Sequence, residues 1–243
     1  MTTLVKICGI TNVDDAFAAA EAGADLLGFI FYPPSPRSVT PEQARRIADA
    51  IRQSPRASKS RLPGGHRGRE ARENTAPIPI SFVGVFVDEE LPVLRQIVAH
   101  CDLDYAQLHG MESPEVVTAL MDGRHRVIKA FRVRAATSLL SLERYQATAY
   151  LLDAYVDGQP GGTGRTFDWD LAVRAKRYGP IILGGGLTPN NVAVAVRVVQ
   201  PWAVDVASGV EGAPGRKDHE KVRRFIAAAK SIARGLYDER GNT

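Results

Sequence analysis

The chain has 243 residues, 44% of them hydrophobic and 24% charged, with a formal net charge of +4; this composition is ordinary for a soluble globular protein, and the length suits one α/β barrel or two small domains. No apolar run approaches the ~20 residues needed to cross a bilayer, and the N-terminus lacks the charged and apolar regions of a signal peptide, so a cytoplasmic protein without membrane association is expected. The positive charge is local: residues 54–77 hold six basic and two acidic side chains, and the remainder balances at 25 of each, which argues against a nucleic-acid partner.

In chain order, short apolar runs alternate with amphipathic stretches, the pattern of parallel βαβ units. Leu4–Ile7 reads as the first strand, followed by a helix over Val13–Ala22 with Asn12 as N-cap and Gly23 beyond its end. Leu26–Phe31 is the second strand, and Thr40-Pro41 opens a helix over Glu42–Ile51. Ile80–Phe86 is the third strand, with a helix over about Leu91–His100. Tyr105–Leu108 is the fourth, and Ser113-Pro114-Glu115 opens its helix. Val127–Phe131 is the fifth, with a helix near Ser138–Gln146. Ala149–Leu152 is the sixth, with Trp169–Tyr178 as its helix, and Ile181–Leu183 is the seventh, with a helix over Asn190–Val199. Ala203–Val206 is the eighth, and the last helix spans about Lys217–Ala233. Eight such units predict a single (β/α)8 TIM barrel forming one domain over residues 1–243. The stretch Gln53–Pro79 is rich in Pro, Gly, Ser and Arg and has no periodicity. It reads as a polar, disordered insertion, at about 54–77, between the second helix and third strand.

Barrel chemistry sits where strands end and βα loops begin. Cys8 follows the first strand and Asp153 the sixth. A thiol and a carboxylate form a base/acid pair if positive potential lowers the one pKa and burial raises the other; the plainer reading of Cys8 is a small core residue. Cys101, at a helix end, reads as structural, and the two cysteines fit no metal-ligand spacing. Gly184-Gly185-Gly186 after the seventh strand and Ala207-Ser208-Gly209 after the eighth are where barrels hold a substrate phosphate. Arg37, after the second strand, suits a substrate carboxylate or is simply an exposed loop arginine. His109 lies near the same face with no evident partner. The glycine-rich loop Asp157–Phe167 reads as a lid or a phosphate cradle; its Gly161–Thr166 run echoes a P-loop but lacks the Gly-Lys-Ser/Thr ending.

Together, Lys6-Ile7-Cys8-Gly9-Ile10-Thr11, Ser35-Pro36-Arg37, Gln107-Leu108-His109-Gly110, Leu151-Leu152-Asp153-Ala154, Gly161-Gly162-Thr163-Gly164-Arg165-Thr166-Phe167-Asp168-Trp169, Gly185-Gly186-Leu187-Thr188-Pro189 and Asp205-Val206-Ala207-Ser208-Gly209-Val210-Glu211 resemble the phosphoribosylanthranilate isomerase family over nearly the whole chain. The resemblance implies an Amadori rearrangement, the third step from chorismate to tryptophan, with Cys8 as general base and Asp153 as general acid. It implies Arg37 at the anthranilate carboxylate, Asp205 near the amine, and Gly185, Gly186, Ser208 and Gly209 at the phosphate. It further implies a small phosphorylated substrate, no cofactor or metal, and a monomer or homodimer. The family usually has alanine at Gly184 and often serine at Ala207. Two rival readings are a Schiff-base enzyme using Lys129, whose facing the sequence leaves open, and an RNA-binding module using the arginine-rich insertion.

Overall fold

Strand β1 (Leu4–Cys8) begins a regular alternation in a computed structural model that describes residues 2–54, 80–121, 125–154 and 168–238. There follow α1 (Val13–Ala22), β2 (Leu26–Ile30), α2 (Pro41–Gln53), β3 (Ser81–Phe86), α3 (Leu91–Cys101), β4 (Tyr105–Leu108), α4 (Pro114–Leu120) and β5 (Arg126–Val133). A 3-10 helix, Ala136–Arg144, leads to β6 (Ala149–Ala154), α5 (Trp169–Ala175), β7 (Ile181–Leu183), α6 (Val192–Val199) and β8 (Ala203–Val206). After β8 come a two-stranded hairpin of β9 (Glu211–Ala213) and β10 (Arg216–Lys217), then α7 (His219–Asp238). Strands β1 to β8 pair in order, and β8 pairs back onto β1 in parallel, closing the predicted barrel. The insertion at about 54–77 joins α2 to β3 and lies, beyond Ser54, outside the described residues.

Local chemistry sets the helix ends. Thr40 accepts from the Gln43 N–H while the Gln43 side chain accepts from the Thr40 N–H, a capping box with Pro41 in the first turn. Ala44, Ile47, Ala48 and Ile51 then recur at i, i+3, i+4 and i+7, and this stripe is what α2 buries. At α1, Asn12 Oδ1 accepts from Asp15 N at 2.9 Å, and Gly23 ends the helix in the left-handed region at φ +96°. The expected helix near Ser138–Gln146 is instead the 3-10 segment, whose buried residues Leu139 and Leu142 are three apart, one turn of that tighter helix. The last helix starts at His219, because Lys217 is taken into β10.

Strand alternation divides the core in two. One set, including Leu26, Val83, Tyr105, Ile128, Leu151, Ile182 and Ala203, fills the barrel interior, while the larger set packs strands against helices. Lys129 falls on the outer side, two residues from Val127, which packs in the strand–helix layer. Its ammonium is buried, 2.8 Å from Glu112 Oε2, and donates to the carbonyls of Leu108 and Gly110. The loop after β4 is thereby fixed to β5. Lys129→Met should leave the Glu112 carboxylate buried without its cation and lower the unfolding free energy by about 3–5 kcal/mol. Urea denaturation measures this, and a loss under about 1 kcal/mol, the level of exposed pairs, would show that the pair is not holding the loop.

Candidate active site

Several interior positions towards the C-terminal ends of the strands carry polar side chains, among them Cys8, Gln107, Asp153 and Asp205. On β1, Lys6 and Cys8 share the interior face, two residues apart. Lys6 is fully buried; its Nζ donates to Asp205 Oδ1 on β8 at 2.9 Å, and Nζ and the Cys8 Sγ both border the space over Gly28. Burial pulls the Lys6 pKa down, but the Asp205 carboxylate and Cys8 outweigh it and hold the ammonium above its ordinary range. For Cys8 the balance differs from the sequence expectation. Burial pushes the thiol up, Lys6 pulls it down, Asp205 adds to the rise, and the net shift is upward.

Arg37 is no loose loop arginine. Its Nε and Nη2 donate to Glu211 Oε1 and Oε2 at 2.8 and 2.7 Å, a bidentate pair joining the segment after β2 to β9. Glu211 Oε1 also accepts from Lys217 Nζ at 3.0 Å, and Lys217 in turn donates to the Ala207 carbonyl. Burial tends to raise the Glu211 pKa, yet the hydrogen bonds from Arg37 and the charge of Lys217 bring it below the usual carboxylate value. Neither Glu211 nor Lys217 stood out as a site residue in the sequence. The motif ending in Glu211 was visible, but its partners lie 174 positions upstream and within a hairpin that resembled the start of a helix.

Asp153, at the end of β6, is one-third exposed rather than buried, and its Oδ2 is 3.4 Å from His109 Nε2. Gln107 Nε2 lies 3.0 Å from His109 Nδ1. With that amide donating, Nδ1 is the acceptor and Nε2 carries the proton towards Asp153. His109 therefore has the partner that its sequence context did not reveal. Lys129, by contrast, is outside the barrel wall and committed to Glu112, so the geometry removes the Schiff-base alternative.

Beyond β7, Gly185 and Gly186 adopt φ +75° and +67°, the left-handed region in which glycine is unstrained. Asn191 closes this turn, accepting from Thr188 N and donating to the Gly186 carbonyl. Ser208, Gly209 and Val210 form a 3-10 turn after β8. A Cβ on Gly209 would sit 2.0 Å from the Leu187 carbonyl oxygen, so this glycine serves the contact between the two loops. At Gly184 a Cβ would meet only ordinary contacts, the nearest at 3.5 Å, so alanine would fit there too. Asp157–Phe167, read as a lid or cradle, lies outside the described residues. Among the described residues no cluster of His, Cys, Asp and Glu is suited to a metal, and no helix is long and apolar enough to cross a membrane.

Comparison with known proteins agrees with this layout. Residues 54–228 match the family model described as N-(5'phosphoribosyl)anthranilate (PRA) isomerase. The chain is 52% identical over 231 residues, covering 95% of this chain and 98% of the relative, to the N-(5'-phosphoribosyl)anthranilate isomerase of Citrifermentans bemidjiense. The crystal structure of the phosphoribosyl anthranilate isomerase of Thermotoga maritima superposes with a TM-score of 0.77 at 38% identity, covering 95% of this chain and all of the other. A similar enzyme solved with reduced 1-(o-carboxyphenylamino)-1-deoxyribulose 5-phosphate gives a TM-score of 0.74 at 37% identity, with coverage of 95% and 100%.

The depressed Glu211 carboxyl has a consequence for stability. A lowered folded-state value means that the stabilisation is fully present above the unfolded value of about 4.5 and is lost as pH falls through the folded one. Glu211→Gln should therefore melt below wild type at pH 7, with the difference shrinking under acid conditions. A difference in Tm independent of pH would contradict the ionised network.

Proposed function

The chain belongs to the N-(5'-phosphoribosyl)anthranilate isomerase family, and we propose that it catalyses the Amadori rearrangement of N-(5-phosphoribosyl)anthranilate to 1-(2-carboxyphenylamino)-1-deoxyribulose 5-phosphate, the third step from chorismate to tryptophan. The observation that carries the reading is a thiol at the end of β1 and a carboxyl at the end of β6, on the rim that also bears the loops after β7 and β8.

In the proposed mechanism Asp153, protonated, gives its proton to the furanose ring oxygen. The bond from that oxygen to the anomeric carbon breaks, and the nitrogen lone pair forms the Schiff base. Cys8, as thiolate, removes the proton from the adjacent sugar carbon, and the electron pair moves to give the enolamine. Proton transfer from the enol oxygen and to the former anomeric carbon then gives the ketone, so no atom is gained or lost. His109 steadies the Asp153 carboxyl through the 3.4 Å contact. Arg37, preset by Glu211, faces the anthranilate carboxylate, and Asp205 the amine. Gly185, Gly186, Ser208 and Gly209 supply the phosphate site, with loop backbone as the donor of hydrogen bonds.

Carboxyls ordinarily titrate below thiols. The competent form is then a minority species with a proton on the carboxyl and none on the thiol. Its population is level between the two titrations and falls outside them. The alkaline fall in kcat/KM reports Cys8 and should lie above the ordinary thiol value of about 9.

Loss of fluorescence from freshly made phosphoribosylanthranilate follows the reaction. Wild type should turn it over, with Cys8→Ala and Asp153→Asn each at least ~100-fold slower, the lower range for acid–base groups. An inert wild type would overturn the function, and a fully active Cys8→Ala would overturn the choice of base.

We read residues 1–243 as one domain, with the segment at about 54–77 a tolerated insertion in the connection from α2 to β3, the kind of connection that leaves a barrel away from its active-site rim. Deleting it should leave kcat and KM within about twofold, as expected for a surface insertion remote from the site. A loss of turnover in a folded deletion variant would assign the insertion a role in the reaction.

A further inference from the structure

Lys6 is a charge placed where an apolar side chain would cost less. It is fully buried in the barrel interior, in a molecule whose neighbouring interior positions hold Leu26, Ile128, Leu151 and Ile182. Asp205 Oδ1 fixes its ammonium at 2.9 Å, and the Cys8 thiol stands beside it on the same face of β1. The neighbouring strand leaves space for both: Gly28 is paired directly with Cys8, and a Cβ there would lie 2.9 Å from Cys8 Sγ and 3.2 Å from Lys6 Nζ. The other charges facing Cys8 are Lys217 on β10, Arg37 after β2 and Asp205 on β8. Lys217 and Arg37 both pair with Glu211, whereas Lys6 shares the space over Gly28 with the sulfur.

We propose that Lys6 is a positioning residue for the Cys8 base: its buried ammonium, anchored by Asp205, orients the sulfur and stabilises the thiolate. The proposal rests on Cys8 being the base and adds the group that makes it one. Burial pushes the thiol up, and the buried ammonium on the same strand face is the largest counterweight to that rise. Lys6 keeps its own charge throughout, since Asp205 and Cys8 hold it above the ordinary lysine range.

The test is Lys6→Met, which keeps length and removes the charge. Alkylation of Cys8 by iodoacetamide, followed across pH on the Cys8 peptide by mass spectrometry, reads the thiol titration apart from Cys101. The expected result is a rise of about one unit or more, hence roughly tenfold slower alkylation near pH 8. In turnover, the plateau of kcat/KM should fall by the same factor and its alkaline limb should move up by the same interval. A merely structural lysine would lower the plateau and leave the limb and the alkylation profile in place, and that outcome overturns the proposal. Lys6→Met strands Asp205, so the comparison is repeated in an Asp205→Asn background, where no carboxylate is left unpaired. There the alkylation profile of Lys6→Met/Asp205→Asn should lie above that of Asp205→Asn alone, and coincidence of the two would also overturn it. Lys6→Arg should retain most of the wild-type titration. Failure of the base assignment is separable: Cys8→Ala would then stay active, whatever Lys6→Met does to the thiol.

Discussion

β1 hydrogen-bonds to β8 over Leu4–Ile7 and Ala203–Val206, and this seam joins segments about two hundred residues apart. Ordering so long a loop is entropically costly, though the cost grows only slowly with length. Side chains reinforce the backbone pairing: Thr3 donates to the Pro201 carbonyl, and Lys6 reaches Asp205. The seam also creates the site, because it alone brings the carboxylate of β8 to the lysine and thiol of β1. Arg37–Glu211 spans the rim just above it. Without closure, Cys8 would be one more small residue at the end of an edge strand.

Among the described residues three lysines, Lys6, Lys129 and Lys217, are buried, and each meets a carboxylate: Asp205, Glu112 and Glu211. Buried pairs seldom add much net stability, because desolvation offsets their attraction. What they supply here is definition. Lys129 also takes the Leu108 and Gly110 carbonyls, and Lys217 that of Ala207, so each anchors a loop whose neighbouring residues line the rim. Towards the opposite end, the carboxylates of Asp25 and Asp104 accept from Val5 N and Phe82 N, the second amides of β1 and β3. The barrel thus has a fastened base and a rim built from charge pairs.

Much of this was legible in the sequence because it is local. The apolar runs gave all eight strands within a few residues, and Thr40-Pro41 marked the start of α2 by a cap that needs only three neighbours. Cys8 and Asp153 stood out through their place at strand ends and Arg37 through its loop after the second strand, whereas Asp205 came only from the family resemblance. What could not be read was set by pairing across the barrel. The facing of Lys129 depends on the phase of β5, which a short apolar run leaves ambiguous. The partner of His109 depends on β6 lying two strands away. Lys217 resembled a helix start, and the signal passed over was the Pro214-Gly215 turn before it, where Gly215 takes φ +74° between β9 and β10. The direction of the Cys8 shift was misjudged because burial is a property of the closed barrel and not of its first eight residues.

The seat of Gly209 against the Leu187 carbonyl makes the loops after β7 and β8 two halves of one module. Neither keeps its shape against a foreign counterpart. A designer who grafts the proposed phosphate site onto another barrel would transplant both loops together, with Asn191, which closes the first, and Lys217, which anchors the second. The spacing between the two host strands is then the dimension to match, before any residue of the graft is chosen.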